Sequence, residues 1–412
     1  MGIAGHVHDQ NETKTIERHI AGPRRVLSVD MLRGVAIALM ILVNNPGDWG
    51  HVFPWLEHSA WDGCTLADLV FPCFLFLAGV STVFSLASRA HRGNCRGTMA
   101  GHLFARCGRL LLLAFVLAFL PAGHWGTLRF FGVLPRIAFC SLATGLILLL
   151  TRRLRWLGLL VLGVLLSYGA VLRFVPVPPL DGGTPRVQFL DPVNNPVAYV
   201  DRALVSWSQR WLHTGILFEK TSDPEGALSS LGALATTLLG AMCGLWIRGV
   251  GRGSRSLTQM RTGLLLGGVL SAVSGAFWAL WLPINKSLWT PSYALLAAGV
   301  SLLALAACSL LVDGRVARWP LWLRISTWPW FVFGSNAIVA YVFSEGMVKI
   351  FLYARVADGR GELHTVWTRF YQVLFSRGHS TEWTSLAFAV AYVCICFLPN
   401  WTLWHKRVFL KI

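Results

Sequence analysis

Charge is what this 412-residue chain has least of: only 13% of its residues are Asp, Glu, Lys or Arg, about half the share usual in a soluble domain. That scarcity argues against an ordinary soluble enzyme. With 55% apolar or aromatic residues, intrinsic disorder is excluded too, because disordered chains have low hydrophobicity. Acidic residues are scarcer still, 19 against 36 Lys and Arg. Metal-ligand spacing is also missing. The nine Cys and 12 His form no CxxC, HxxxH or HExxH pattern, so packing is the role expected of the cysteines. Residues 1–28 are polar and carry no apolar core of a cleavable signal peptide. No equal-length inverted repeat of the transporter kind stands out.

What the chain does have is long apolar runs. Ten stretches reach membrane-spanning length: about 29–47, 66–88, 104–123, 131–151, 155–175, 228–248, 262–283, 290–312, 329–350 and 383–405. The fold class they predict is all-α, a polytopic integral-membrane bundle of about ten transmembrane helices. It is preceded by a flexible cytoplasmic tail (1–28), with residues 29–412 forming one transmembrane domain. The distribution of charge sets the orientation. With the N-terminus inside, the cytoplasmic segments hold 22 basic residues against four acidic ones, while the other side is close to balance. Both termini are therefore expected in the cytoplasm, with loops 48–65, 176–227 and 351–382 outside. The same asymmetry explains the net charge of +17 as a topology signal, with no nucleic-acid partner required.

Ionisable groups at membrane depth are costly and are functional candidates. Asp30 and Arg33 stand three apart on one helical face, suited to an anchoring ion pair or, through the guanidinium, to a phosphate at the cytoplasmic mouth. Asn44 and Asn45 end the first span before Pro46; one amide suffices to terminate the helix, and both could donate to a ligand. Thr65 and Asp68 form a capping box that opens the second span. His58 precedes it, between Trp55 and Trp61, where a solvated or packed role is the plainer reading. Arg136, Asn336, Glu345 and Lys286 also lie at or near membrane depth. Lys286 equally suits an interfacial helix end, and Asn336 and Glu345 equally suit stitching helices together.

The order Ser28-Val29-Asp30-x-x-Arg33-Gly34, then Met40-Ile41-Leu42-Val43-Asn44, then His58-Ser59-Ala60-Trp61-Asp62-Gly63-x-Thr65-x-Ala67-Asp68-Leu69-Val70-Phe71-Pro72 resembles the heparan-α-glucosaminide N-acetyltransferase family. Gly132-Val133-Leu134-Pro135-Arg136-Ile137, Asp223-Pro224-Glu225-Gly226, Leu282-Pro283-Ile284-Asn285-Lys286 and Gly334-Ser335-Asn336 with Tyr341 fit its bacterial members. The resemblance covers residues 26 to about 345. It implies a transmembrane acyltransferase that moves an acetyl group from cytosolic acetyl-CoA to an amino sugar or other sugar on the far side. The family's catalytic histidine matches His58, and its amide at the end of the first span matches Asn44.

The transfer chemistry needs a base, oxyanion donors and a dry thioester. A neutral His suits the first, and the Asn44 amide suits the second, with Asp68 orienting His58. Direct transfer and an acetyl-histidine intermediate both remain open. Arg33, Asn45, Arg136 and Asn336 are assigned to the donor, with Arg106 and Arg109 as further phosphate contacts that are equally well explained as topology signals. Trp61, Asp62 and Lys286 are assigned to the acceptor. Besides the sugar, the expected partners are the bilayer and a second copy of the chain in a homodimer, and the expected location is a bacterial cytoplasmic (inner) membrane. The competing readings are a transporter or flippase for a sugar or lipid-linked glycan, and an O-acetyltransferase acting on envelope glycans.

Overall fold

The computed structural model describes residues 26–121, 123–251, 253–314, 319–357 and 361–410. Most of the expected tail therefore lies outside the described residues. The described chain is almost wholly helical: α1 (Leu27–Asn44), α2 (Leu66–His91), α3 (Arg96–Phe119), α4 (Val133–Leu150), α5 (Leu154–Phe174), α6 (Pro196–Leu212), α7 (Ser230–Gly251), α8 (Leu257–Trp278), α9 (Pro291–Val312), α10 (Leu321–Ser335), α11 (Ala337–Tyr353), α12 (Val366–Tyr371) and α13 (Glu382–His405). Nine of these, α1–α5, α7–α9 and α13, are long and apolar enough to cross a membrane. This is a polytopic all-α membrane protein.

The ninth expected span, 329–350, is not one straight helix. The chain turns by 77° between α10 and α11, and the hinge residue is Asn336. Its side chain explains why the helix stops there: Nδ2 donates to the Val408 carbonyl at 3.1 Å and Oδ1 accepts from the Leu410 amide at 2.9 Å. An apolar run reads as continuous in sequence, whereas a tertiary contact with the C-terminal segment breaks it. The hinge is pressed against α1. A Cβ on Gly34 would lie 1.7 Å from the Trp330 carbonyl oxygen, and one on Gly334 would lie 2.0 Å from the Asp30 carbonyl oxygen. Only glycine at both positions allows the two backbones to cross so closely.

Contacts between loops sort the helix ends into two groups. At one end, the Ser28 amide donates to Asp313 at 3.2 Å, and Asn336 holds the segment that follows α13. At the other, Gly63 pairs with Ile284 and Gly47 with Ser385, and the Trp61 indole donates to the Leu190 carbonyl. Below, the first is called the terminal end and the second the loop end. The loop end also carries structure that a featureless connector would not. In the 176–227 segment, α6 turns Val197, Ala198, Asp201 and Val205 inward. In the 351–382 segment, Arg355–Ala357 and Leu363–Thr365 pair as an antiparallel ribbon, followed by α12 and a short π-turn at Gln372–Ser376.

Candidate active site

The site begins with the first turn of α2. Thr65 caps the helix, and Asp68 reaches back to accept its amide through Oδ2 at 3.1 Å. The same oxygen takes the Ser59 amide at 3.1 Å, which folds the loop before α2 over the helix end. The other oxygen, Oδ1, faces His58 Nδ1 at 2.9 Å and Lys286 Nζ at 3.3 Å. Capping and orienting His58 are thus not alternatives for Asp68, because each uses a different oxygen. The carboxylate is completely buried, while the imidazole is 44% exposed. One face of the dyad is fixed in the protein and the other is open for chemistry.

A second loop, residues 283–290, closes on this one. Asn285 is its anchor: Nδ2 donates to the Trp61 carbonyl at 3.0 Å and to Asp62 Oδ1 at 3.2 Å, and Oδ1 accepts from the Leu288 amide. The Tyr293 hydroxyl donates to the Asp68 carbonyl at 2.6 Å. Trp61 and Asp62, expected at the acceptor, thus spend these polar groups holding the two loops together. Lys286 projects from the second loop to Nδ1 of His58 at 2.9 Å. Burial draws its pKa below the usual lysine value, with Asp68 and then Glu225 opposing that shift. Burial also pushes the neighbouring Cys64 thiol up to about 12, so it stays protonated and uncharged.

The two asparagines that end α1 are separated clearly. Asn45 is buried and donates to the Ile41 carbonyl at 2.8 Å and to the Ser344 hydroxyl at 3.3 Å, so it is committed to packing. Asn44 is half-buried, and among the described residues nothing occupies its amide. Its neighbour Val43 packs with Leu56 and Ala67, which sets the last turn of α1 against the first turn of α2.

At the terminal end, a cavity of about 500 Å³ opens between helices. Arg33, Arg89, Arg92, His102, Arg106 and Arg109 line it, and among the described residues Asp30 is the one acidic residue in that lining. Arg33 donates to Asp30 at 3.0 Å and to the Ser81 hydroxyl at 2.7 Å, so it is both an ion-pair partner and part of the wall. Along α2 the lining runs from Arg92 to Phe74. At 1.5 Å per residue that is about 27 Å, ending six residues short of Asp68. Of the other residues assigned to the donor, Asn336 lines the cavity, and Asn45 and Arg136 do not. Arg136 is buried toward the loop end, donating to the Gly226 carbonyl at 2.9 Å and to Ser229, with its guanidinium 5.1 Å from the Trp289 ring centre.

Arg89, Arg92 and His102 were not singled out in the sequence, because the charge bias of the membrane explains basic residues at that end without a ligand. Another cluster also went unread. Arg129 grips Asp223 through two nitrogens, at 2.8 and 2.6 Å, and also reaches Glu225. Those carboxylates raise its pKa against the opposing effect of burial. The Asp223-Pro224-Glu225-Gly226 motif was its only sequence signal. Among the described residues, no group of three or more His, Cys, Asp or Glu side chains could hold a metal ion.

Fold and site together define an integral-membrane protein with a His–Asp pair at one end of a helical bundle and a basic cavity entering from the other. Residues 25–179 match the family model described as heparan-alpha-glucosaminide N-acetyltransferase, catalytic. The chain is also 26% identical over 378 residues to the heparan-alpha-glucosaminide N-acetyltransferase of Mus musculus, covering 81% of this chain and 55% of that protein. The Homo sapiens protein of the same name is 26% identical over 371 residues, covering 78% of this chain and 53% of its own length. The resemblance to proteins of this name therefore extends over most of the chain, while the chain spans about half the length of the curated relatives it matches.

Proposed function

We propose that the protein transfers an acetyl group from cytosolic acetyl-CoA, bound at the terminal end, to an amino sugar presented at the loop end. The observation that carries this reading is the arginine-lined cavity, which runs along the same helix that fixes the His58–Asp68 pair at its other end. Guanidinium groups suit the phosphates of a nucleotide, and a cavity whose lining extends about 27 Å along one helix suits an extended pantetheine arm. In this reading the arginine end faces the cytosol and the protein sits in a bacterial cytoplasmic membrane.

The chemistry follows from the protonation that Asp68 favours. With the proton of His58 on Nδ1, shared with Asp68, Nε2 takes a proton from the acceptor amine as it attacks the thioester carbonyl. The Asn44 amide faces the developing oxyanion. Collapse of the tetrahedral intermediate breaks the C–S bond, and the thiolate leaves with a proton returned from His58. The apolar bundle keeps water from the thioester. Incubating purified protein with labelled acetyl-CoA and glucosamine should yield N-acetylglucosamine with the wild type and none with His58→Ala. Wild-type turnover in that variant would return the protein to the transporter reading.

A further inference from the structure

Lys286 was expected to hold the acceptor, but its surroundings assign it another task. Nζ lies 2.9 Å from His58 Nδ1 and 3.4 Å from Nε2. The in-plane axis of Nδ1 points away from Nε2, so an ammonium on that axis would be far from Nε2 whenever it was close to Nδ1. Two comparably short contacts place the ammonium off the axis, against the side of the ring. That leaves the axis to Asp68 Oδ1, 2.9 Å from Nδ1. A carboxylate at this distance from a bare ring nitrogen would set lone pair against lone pair, so the contact calls for a proton on Nδ1. Nε2 is then the bare nitrogen.

A fixed cation beside the ring tolerates a neutral imidazole and repels an imidazolium. We propose that Lys286 is a positioning residue, which keeps His58 neutral with the proton on Nδ1 and Nε2 free. This deepens the acyl-transfer reading and takes its catalytic meaning from it. The charged and titratable groups around His58 fit this role. Asp68 comes from α2 and Lys286 from the 283–290 loop. The loop of His58 itself contributes Glu57, Cys64 and an Asp62 already engaged by Asn285. Glu225 acts on Lys286 from the turn before α7. Asp68 alone would favour the imidazolium; Lys286, 3.3 Å from the same oxygen, supplies the countercharge of that carboxylate, so that His58 meets it as a neutral donor.

The test reads the imidazole directly, without an acceptor. Full-length protein in detergent is treated with diethyl pyrocarbonate from pH 5 to 8, and carbethoxylation of His58, which needs a bare ring nitrogen, is followed by peptide mass spectrometry. Lys286→Met should move the midpoint up by about one pH unit, from the loss of a cation within about 4 Å of a partly exposed ring. Lys286→Gln should do the same, and serves if the Met variant does not fold. Lys286→Arg should keep the wild-type midpoint, and Asp68→Asn should lower it. In turnover, Lys286→Met should lose activity on the acid side without a change in acceptor KM. An unchanged midpoint in the neutral variants, with a raised acceptor KM, would overturn the proposal and return Lys286 to the acceptor. A shifted midpoint in a protein whose wild type transfers no acetyl group would sustain the role of Lys286 and reject the transferase reading.

Discussion

The two ends of the bundle handle charge in opposite ways. At the terminal end, five arginines and a histidine face one cavity in which, among the described residues, Asp30 is the only acidic lining residue. At the loop end, cations and carboxylates are matched closely: Arg129 with Asp223 and Glu225, and Lys286 with Asp68 beside His58. A wall with surplus positive charge suits a flexible polyanion that brings the balancing charge with it. A balanced network instead fixes geometry, because removing either partner strands a buried charge. In the proposed reading the first end holds the donor, while the second holds its own side chains in place.

Breaking the loop end should have the largest effect. His58→Ala is expected to lower turnover by at least about a hundredfold, the lower range for a general base, while acetyl-CoA binding measured by calorimetry stays near wild type. Arg129→Ala comes next. It leaves Asp223 buried without its cation, and a loss of about 3–5 kcal/mol of stability should appear as a sharply lower melting temperature in detergent. At the terminal end the effects should be selective. Arg33→Ala and Arg92→Ala should each raise the KM for acetyl-CoA by about tenfold, the loss of one charge-assisted hydrogen bond, with acceptor KM unchanged. If these variants changed acceptor KM instead, the division of labour between the ends would be wrong.

A further effect, at the loop end, concerns pH and stability. Burial raises the pKa of Asp201 to about 7, against an opposing hydrogen bond from the Ala227 amide. Its second oxygen has no hydrogen-bond partner and is packed where a Cβ on Gly226 would sit. The folded state therefore keeps a proton that the unfolded chain releases near pH 4. This contribution to stability is full below about pH 4 and is lost as the pH rises to about 7. Asp201→Asn should flatten that part of the melting-temperature profile. A slope unchanged in the variant would assign it to another group.

Much of the fold was legible because membrane spans announce themselves: α1–α5, α7–α9 and α13 each coincide with an apolar run in the sequence. The break at Asn336 was not, because its cause is a hydrogen bond to residues 408–410, more than seventy positions away. Nor was α6, whose exposed Trp207 and Trp211 and buried Asp201 obscure any simple pattern. In the site, the Thr65–Asp68 box is a local feature and could be read from spacing, whereas His58 stood out only through the resemblance of its surrounding motif to a known family. Lys286 meets His58 across 228 positions, so its place beside the imidazole is visible only once the two loops close. The arginine cavity was legible only in part, through Arg33, Arg106 and Arg109, because an arginine that binds a ligand and one that only sets topology look the same in sequence.

The most direct measurement places donor and acceptor on opposite sides of a membrane. Protein reconstituted in one orientation into sealed vesicles would receive labelled acetyl-CoA only on the side of the terminal end and glucosamine only on the side of the loop end. Labelled N-acetylglucosamine should accumulate on the loop side, with none in vesicles carrying His58→Ala. Product that forms only when both substrates share one side, or that forms equally well without His58, would contradict transfer through the bundle.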